Sequence, residues 1–267
     1  MLDPFNREIN YLRISVTDRC NLRCAYCAPE SPHYAKRQDI LSFEQIEEVV
    51  RVATKIGFRK VRLTGGEPLV RKNIEDLVRL LTQIPLIETV ALTTNGMLLP
   101  EKAPLLKKNG LHNLNISLDT LSPETFQKTT GNGDLALVLK GIDAAIAQKF
   151  SRIKINMIIF SHTTDEEIAG MEQFCRERGM TLQRIKNFLL SDHHSYEQGH
   201  PFERPSPCHQ CNRIRLLSSG QLKPCLFSNE EVNVDFSDIE ASLKKVIGMK
   251  PETGSSCTNR SMMAIGG

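Results

Sequence analysis

The sequence predicts an α/β protein in which a parallel sheet curls into a partial (β/α)6 barrel, and three features of the chain predict it. Six short β-type runs alternate with longer stretches of helical period. The helical stretches open on capping residues and close on glycine. Along the runs apolar and polar side chains alternate, so each strand offers one face to a core and the other to a cavity.

The runs fall at 11–17, 60–64, 90–95, 114–120, 152–160 and 182–189, with helical stretches at 42–55, 72–83, 101–109, 133–149 and 164–178. Ser42 ahead of Glu44 suits a helix start, and Thr164 with Asp165, Glu166 and Glu167 puts acids at the positive end of the last helix. Gly57, Gly110 and Gly179 stop helices just before the next strand. In the first run Leu12, Ile14 and Val16 oppose Arg13, Ser15 and Thr17; in the second Val61 and Leu63 oppose Lys60, Arg62 and Thr64. In the fourth Leu114, Ile116 and Leu118 oppose Asn115, Ser117 and Asp119; in the fifth Ile153, Ile155 and Met157 oppose Lys154 and Asn156. The third ends Thr93-Thr94-Asn95. Parallel strands buried on both sides read as nearly continuous Val, Ile and Leu. Here one face stays polar, which predicts a wet lumen lined by cations and hydroxyls and suited to an anionic ligand. The competing reading, a one-sided sheet with its polar face in solvent, sits badly with right-handed crossovers that must cover something.

A chain of 267 residues with 40% apolar content has ample material for one large domain, or one domain with an appendage. No apolar run approaches the roughly 18 residues of a membrane span, and the N-terminus has no signal-peptide pattern, so a cytoplasmic location and no membrane partner are expected. Eight cysteines in that compartment stay reduced, which points them toward metal rather than disulfides. A net charge of +3 is too small to argue for nucleic acid.

The chemistry is concentrated in Cys20-Asn21-Leu22-Arg23-Cys24-Ala25-Tyr26-Cys27. Three thiolates at spacings of four and three can hold three irons of a [4Fe-4S] cubane and leave the fourth iron open to a ligand. Spacing alone fits a structural zinc loop as well, although zinc normally closes with four protein ligands. After the second run comes Gly65-Gly66-Glu67-Pro68, at the C-terminal end of a barrel strand, where barrels of this kind place their sites. Two glycines permit close backbone approach to a ligand, and Glu67 can accept from an ammonium group. Loop and tetrapeptide together resemble the radical S-adenosylmethionine (SAM) superfamily. That resemblance implies SAM chelated by the open iron, the glycine-rich loop on its amino group, Tyr26 beside the adenine, and a 5′-deoxyadenosyl radical as product of cluster reduction.

The pattern changes after residue 190, and the division expected is a barrel over 1–190 and a C-terminal segment over 191–267. The stretch 191–207 carries His193, His194 and His200 among prolines and polar residues and reads as a loop. Cys208-His209-Gln210-Cys211 follows, with Cys225 beyond. Arg213 and Arg215 share one face of the strand-like stretch between them, and Ser219-Gly220 turns it back as a hairpin. These cysteines fit a second cluster with an open iron, or zinc with His209 or Cys257 as fourth ligand.

With the terminal Gly266-Gly267, this set is similar to the GTP 3′,8-cyclase family of molybdenum cofactor biosynthesis. The resemblance implies two [4Fe-4S] clusters, on Cys20, Cys24 and Cys27 and on Cys208, Cys211 and Cys225. It implies Ser117 as a SAM contact, Arg13, Lys60, Arg62, Thr93, Lys154, Arg213 and Arg215 around the nucleotide and its triphosphate, and Arg213, Arg215, Gly266 and Gly267 as catalytic. The implied reaction abstracts hydrogen from C3′ of GTP, joins C3′ to C8 and, after one-electron reduction, yields 3′,8-cyclo-7,8-dihydro-GTP. Implied partners are GTP or a related nucleotide, an external one-electron reductant and a downstream cyclic pyranopterin synthase; a homodimer is compatible with all of this. Two departures stand out. The connection into Cys208 is shorter than in the family, and the sixth run has Gln183 and Lys186 where the family has an arginine and an acid, so either Arg184 substitutes through a shift or the SAM site differs. The alternatives to the cyclase are a related radical SAM enzyme acting on another nucleotide or on a peptide, and a cluster-bearing sensor without turnover.

Overall fold

In the computed structural model, which describes residues 1–28, 34–191 and 207–266, six parallel strands run side by side in chain order. They are β1 (Tyr11–Ser15), β2 (Lys60–Thr64), β3 (Thr89–Thr94), β4 (Asn113–Ser117), β5 (Arg152–Ile159) and β6 (Thr181–Lys186). Helices α1 (Phe43–Lys55), α2 (Ile74–Thr82), α3 (Leu99–Lys108), α4 (Pro123–Thr130), α5 (Leu135–Ala147) and α6 (Asp165–Glu177) fill the crossovers and form the outer layer of the partial barrel. Among the described residues no helix is long and apolar enough to cross a membrane.

The caps the sequence predicts are present. Ser42 with Gln45, and Thr164 with Glu167, close reciprocal capping boxes on α1 and α6. Gly57, Gly110 and Gly179 take positive φ just past α1, α3 and α6. Within the barrel one helix was not anticipated, as the two C-terminal helices described below were not: α4, whose signal was Ser122 as cap and Pro123 in its first turn, is only eight residues long and carries just two buried side chains. The sixth strand ends at Lys186, shorter than its run.

Strand parity sorts the side chains as expected. Leu12, Ile14, Val61, Leu63, Leu92, Leu114, Ile116 and Ile155 are buried in one continuous core with Ile46, Val49 and Val50 of α1 and Leu77, Val78 and Leu81 of α2. Each such side chain contributes roughly 1.5–3 kcal/mol by leaving water. The opposite face carries the polar set, and α1 and α2 pack on the apolar side.

The C-terminal residues extend the same sheet. Strand β7 (Arg213–Leu216) pairs parallel with β1 on its free edge, followed by antiparallel β8 (Gln221–Lys223) and β9 (Val232–Asn233), giving nine strands in the order β6-β5-β4-β3-β2-β1-β7-β8-β9. The expected hairpin is β7–β8. Helix α7 (Ile239–Gly248) buries Leu243, Val246 and Ile247, and α8 (Met262–Ile265) carries the chain back toward the lumen.

Candidate active site

The first cysteine loop leaves the C-terminal end of β1 and is docked by backbone. Arg23 N and Ala25 N donate to Thr130 O and Thr129 O at the end of α4, each at 3.0 Å. Asn95, just past β3, donates to Asn21 Oδ1 at 2.8 Å, and its amide lies 3.9 Å from Cys20 Sγ. The glycine-rich loop after β2 locks onto the approach to the cysteines. Gly66 N donates to Thr17 O at 2.7 Å and Glu67 N to Arg19 O at 2.8 Å. A Cβ on Gly65 would overlap Thr17 O, and one on Gly66 would overlap Arg19 O, so the approach requires glycine at both positions.

Cys20, Cys24 and Cys27 line one cavity of about 200 Å³ together with Gly65, Gly66, Glu67, Thr93, Ser117 and Tyr26, so the cofactor residues named from sequence do converge. Burial, reinforced by the Asp119 carboxylate, pushes the Cys24 thiol up to about 12, and burial beside Cys24 does the same to Cys27. A cubane takes one thiolate per iron and leaves its fourth iron open, and three cysteines lining one shared cavity beside the glycine-rich loop fit that group.

Tyr26 donates to Asp119 Oδ2 at 2.9 Å, and its ring lies 5.6 Å from that of Phe160. Burial raises Asp119 to about 6. Glu67 is 1% exposed and accepts from Leu69 N (3.0 Å), Thr94 Oγ1 (2.8 Å) and Asn95 N (2.7 Å). A carboxylate has about four lone-pair sites, so one remains for a ligand in the cavity. Burial outweighs these donors and lifts Glu67 to about 7 from its ordinary 4.5. Between those values the folded chain holds a proton that the unfolded chain has lost. The contribution is therefore fully present below pH 4.5 and is lost as pH rises through about 7. Urea unfolding of the cluster-free chain should show roughly 3 kcal/mol of this loss, with Asp119 adding in the same direction at lower pH; Glu67→Gln should flatten the Glu67 part.

The cations form rows across neighbouring strands. Register places Arg215, Arg13 and Arg62 side by side on β7, β1 and β2, with Arg213, Tyr11 and Lys60 in the next row. Tyr11, which the sequence reading passed over, shares the parity of Arg13; its hydroxyl accepts from Arg62 Nε at 2.5 Å, and despite burial the guanidinium groups bring it down to about 8. Arg62 also donates to Thr93 Oγ1 at 3.2 Å. Burial and the neighbouring Arg213 lower Arg215 to about 10. Lys154 pairs in register with Asn115 on the same face, whereas Lys60 is exposed at the start of β2.

The second cysteine group lies at the other end of β1, about 17 Å of extended chain away. Cys208 and Cys211 immediately precede β7, and Cys225 follows β8. Lys250 Nζ donates to Cys211 Sγ at 3.3 Å, and although burial opposes it, Lys250 and Arg213 bring Cys211 down to about 7. Cys225 feels both Cys211 and Arg215. Cys211 and Cys225 thus lie close to each other, to Lys250 and to the arginines of β7, a cationic surround that fits thiolates of a cluster. The other candidate ligands have different surroundings. Cys257 packs with Leu217 and Ile265 and lies 3.3 Å from Asn259 Oδ1, while His209 is exposed beside Gln210.

The tail reaches the lumen between the two groups. Arg260 makes a bidentate pair with Glu231 at 2.9 and 2.7 Å, Met262 lines the cavity, and Gly266 O accepts from Arg215 Nη1 at 2.7 Å and Arg13 Nη2 at 3.4 Å. Gly267 and the three histidines at 193, 194 and 200 lie outside the described residues.

The departure in the sixth strand also has a structural outcome. Gln183 pairs with Asn156 on the lumen face and is buried, while Arg184 pairs with Met157 on the helix face and reaches Glu172 of α6 at 3.4 Å. No register shift brings Arg184 into the cavity; Lys186, at the mouth, does line it.

Residues 14–175 match the family model of the radical SAM superfamily. The GTP 3′,8-cyclase of Pelotomaculum thermopropionicum is 36% identical over 310 residues, covering 94% of each chain. That of Alkaliphilus metalliredigens is 36% identical over 320 residues and takes in all of both chains; the alignment is longer than this 267-residue chain, so it carries gaps here. Among solved structures, Streptococcus suis SuiB bound to S-adenosylmethionine superposes with a TM-score of 0.68 at 17% identity, over 90% of this chain and 65% of that one. AdoMet-bound anSMEcpe gives 0.60 at 16%, over 82% and 74%. At such identities these structures share the fold.

Proposed function

This chain belongs to the radical SAM superfamily and, within it, to the GTP 3′,8-cyclase family, and from that premise we propose how its residues divide the work of converting GTP to 3′,8-cyclo-7,8-dihydro-GTP in molybdenum cofactor biosynthesis. The enzyme uses SAM and a [4Fe-4S] cluster. When bound, these supply the one-electron cleavage that starts the reaction.

The roles that follow are proposals. Cys20, Cys24 and Cys27 hold the first cluster; Gly65, Gly66, Glu67, Ser117 and Tyr26 hold SAM. Cys208, Cys211 and Cys225 hold a second cluster that takes the guanine. Arg13, Arg62, Arg213 and Arg215, with Tyr11 in the second row beside Arg213, hold the phosphates, where guanidinium groups pair with oxygens two at a time. Thr93, Lys154 and Lys60 extend this surface, and Gln183 and Lys186 make a different SAM wall from the family's. The tail through Gly266 and Gly267 seats the arginines and excludes water. Residues 1–190 thus form the barrel and 191–267 the auxiliary-cluster segment. An external one-electron reductant and a cyclic pyranopterin synthase that consumes the product are the partners this reading requires; a homodimer is compatible with it.

The observation that carries the reading is the arginine row across β7, β1 and β2, lying between two cysteine groups at opposite ends of β1. A peptide substrate would leave that row without a counter-charge. Incubation with GTP, SAM and reductant should give the 3′,8-cyclised product. In Arg215→Ala the affinity for GTP should fall about 100-fold while 5′-deoxyadenosine formation persists. Turnover of a peptide, with GTP ignored, would replace the reading by the alternative.

A further inference from the structure

Lys250, which follows α7, is 3% exposed, and an ammonium has three N–H donors. Here they go to Cys211 Sγ at 3.3 Å, Arg213 O at 3.0 Å and Pro224 O at 3.0 Å. One side chain thus ties the second cysteine of the group, the first residue of the arginine-bearing β7, and the residue before Cys225. None of these partners is a carboxylate, and a buried cation is costly without a counter-charge. The partner able to carry it is the Cys211 sulfur, as a thiolate in an iron–sulfur centre.

The same segment is gripped from outside. Arg7 donates to Cys208 O (2.9 Å), Glu252 O (2.8 Å) and Pro251 O (2.6 Å), and is itself held by Asp3 at 2.6 Å. Arg7 fixes the loop through carbonyls alone, whereas Lys250 reaches a sulfur.

Resting on the two-cluster reading above, we propose that Lys250 is the positioning residue of the second cluster, and that its N–H···S bond and charge set that cluster's reduction potential. Donors to cluster sulfurs and nearby positive charge favour the reduced state, so Lys250 makes the second cluster easier to reduce than its thiolates alone would.

The test is an anaerobic redox titration of the reconstituted holoenzyme followed by electron paramagnetic resonance, with iron counted per chain, on wild type, Lys250→Met, Lys250→Arg and Arg7→Ala. Lys250→Met should retain iron, shift the second cluster to a more negative potential and leave the first unmoved; Lys250→Arg should move it back toward wild type. A full complement of about eight irons with unmoved potentials in Lys250→Met overturns the proposal alone. About four irons in the wild type overturns the second cluster, and this proposal with it. If Lys250→Met loses the second cluster, Arg7→Ala decides. Retention there at unaltered potential supports a specific role for the sulfur contact, and equal loss reduces Lys250 to one brace among several and overturns the proposal.

Discussion

Gly66→Ala is expected to cost the protein its first cluster, and SAM cleavage with it. The new Cβ would overlap Arg19 O and stand 2.6 Å from Arg19 C, both main-chain atoms of the residue preceding Cys20. No rotamer relieves a clash between Cβ and backbone, so the two loops must separate. Separation breaks the bonds from Gly66 N to Thr17 O and from Glu67 N to Arg19 O, which register the cysteine loop against β2. Strain of this kind costs about 3 kcal/mol or more, a fall in Tm of about 10 °C for a chain of this size. Iron per chain, Tm and 5′-deoxyadenosine yield measure the three consequences. Gly170→Ala is the matched control: it lies in α6 with nothing within 4 Å of its Cβ, and should be neutral or slightly stabilising. Full iron and wild-type cleavage in Gly66→Ala would refute the account of the loop contact.

Gly266→Ala should have a different signature: an intact protein that cleaves SAM and makes little product. Gly266 has φ of 74°, a left-handed conformation that costs an alanine about 1 kcal/mol or more. Its Cβ would also overlap Thr64 Oγ1 and stand 3.1 Å from Gly65 N. The tail must withdraw, and Gly266 O then no longer accepts from Arg215 and Arg13. The tail can withdraw without breaking the bonds from Gly66 N and Glu67 N that hold the glycine-rich loop to the approach to the cysteines, so iron content and Tm should stay near wild type. The guanidinium groups lose their placement, and a shift of about 1 Å in a positioning group costs roughly 100-fold in rate. The ratio of 5′-deoxyadenosine to cyclised product should rise by a similar factor. An unchanged ratio would mean that the tail does not seat the arginines.

Much of this site was legible because strands alternate. A period of two puts Arg13, Arg62, Asn115, Ser117 and Lys154 on the face opposite Leu12, Leu63, Leu114, Ile116 and Ile155, and the structure confirms each side. The cysteine spacing and the Gly65-Gly66 pair announced their loops for a similar reason, since both are local demands. Tyr11 was within reach of the same parity argument; it escaped because an aromatic at the start of a strand reads as core. Helix α4 escaped because it is short and weakly apolar, yet it docks the cysteine loop through Thr129 and Thr130.

The order of the chain by itself determined the strand-and-helix alternation, the cavity-facing cations and the sets of three cysteines, because propensity, side-chain parity and ligand spacing act within a few residues. Only the tertiary structure decided that β7 pairs with β1, which lays Arg215 beside Arg13 and sets the two cysteine groups at opposite ends of one strand. It also decided that Gln183 rather than Arg184 faces the lumen, that Gly266 caps the arginines, and that Lys250 meets Cys211 across 39 residues. Those outcomes depend on register and on contacts between distant segments. Their energies come from which backbone groups and charges can be satisfied together once the sheet is assembled, and no local pattern in the chain encodes that.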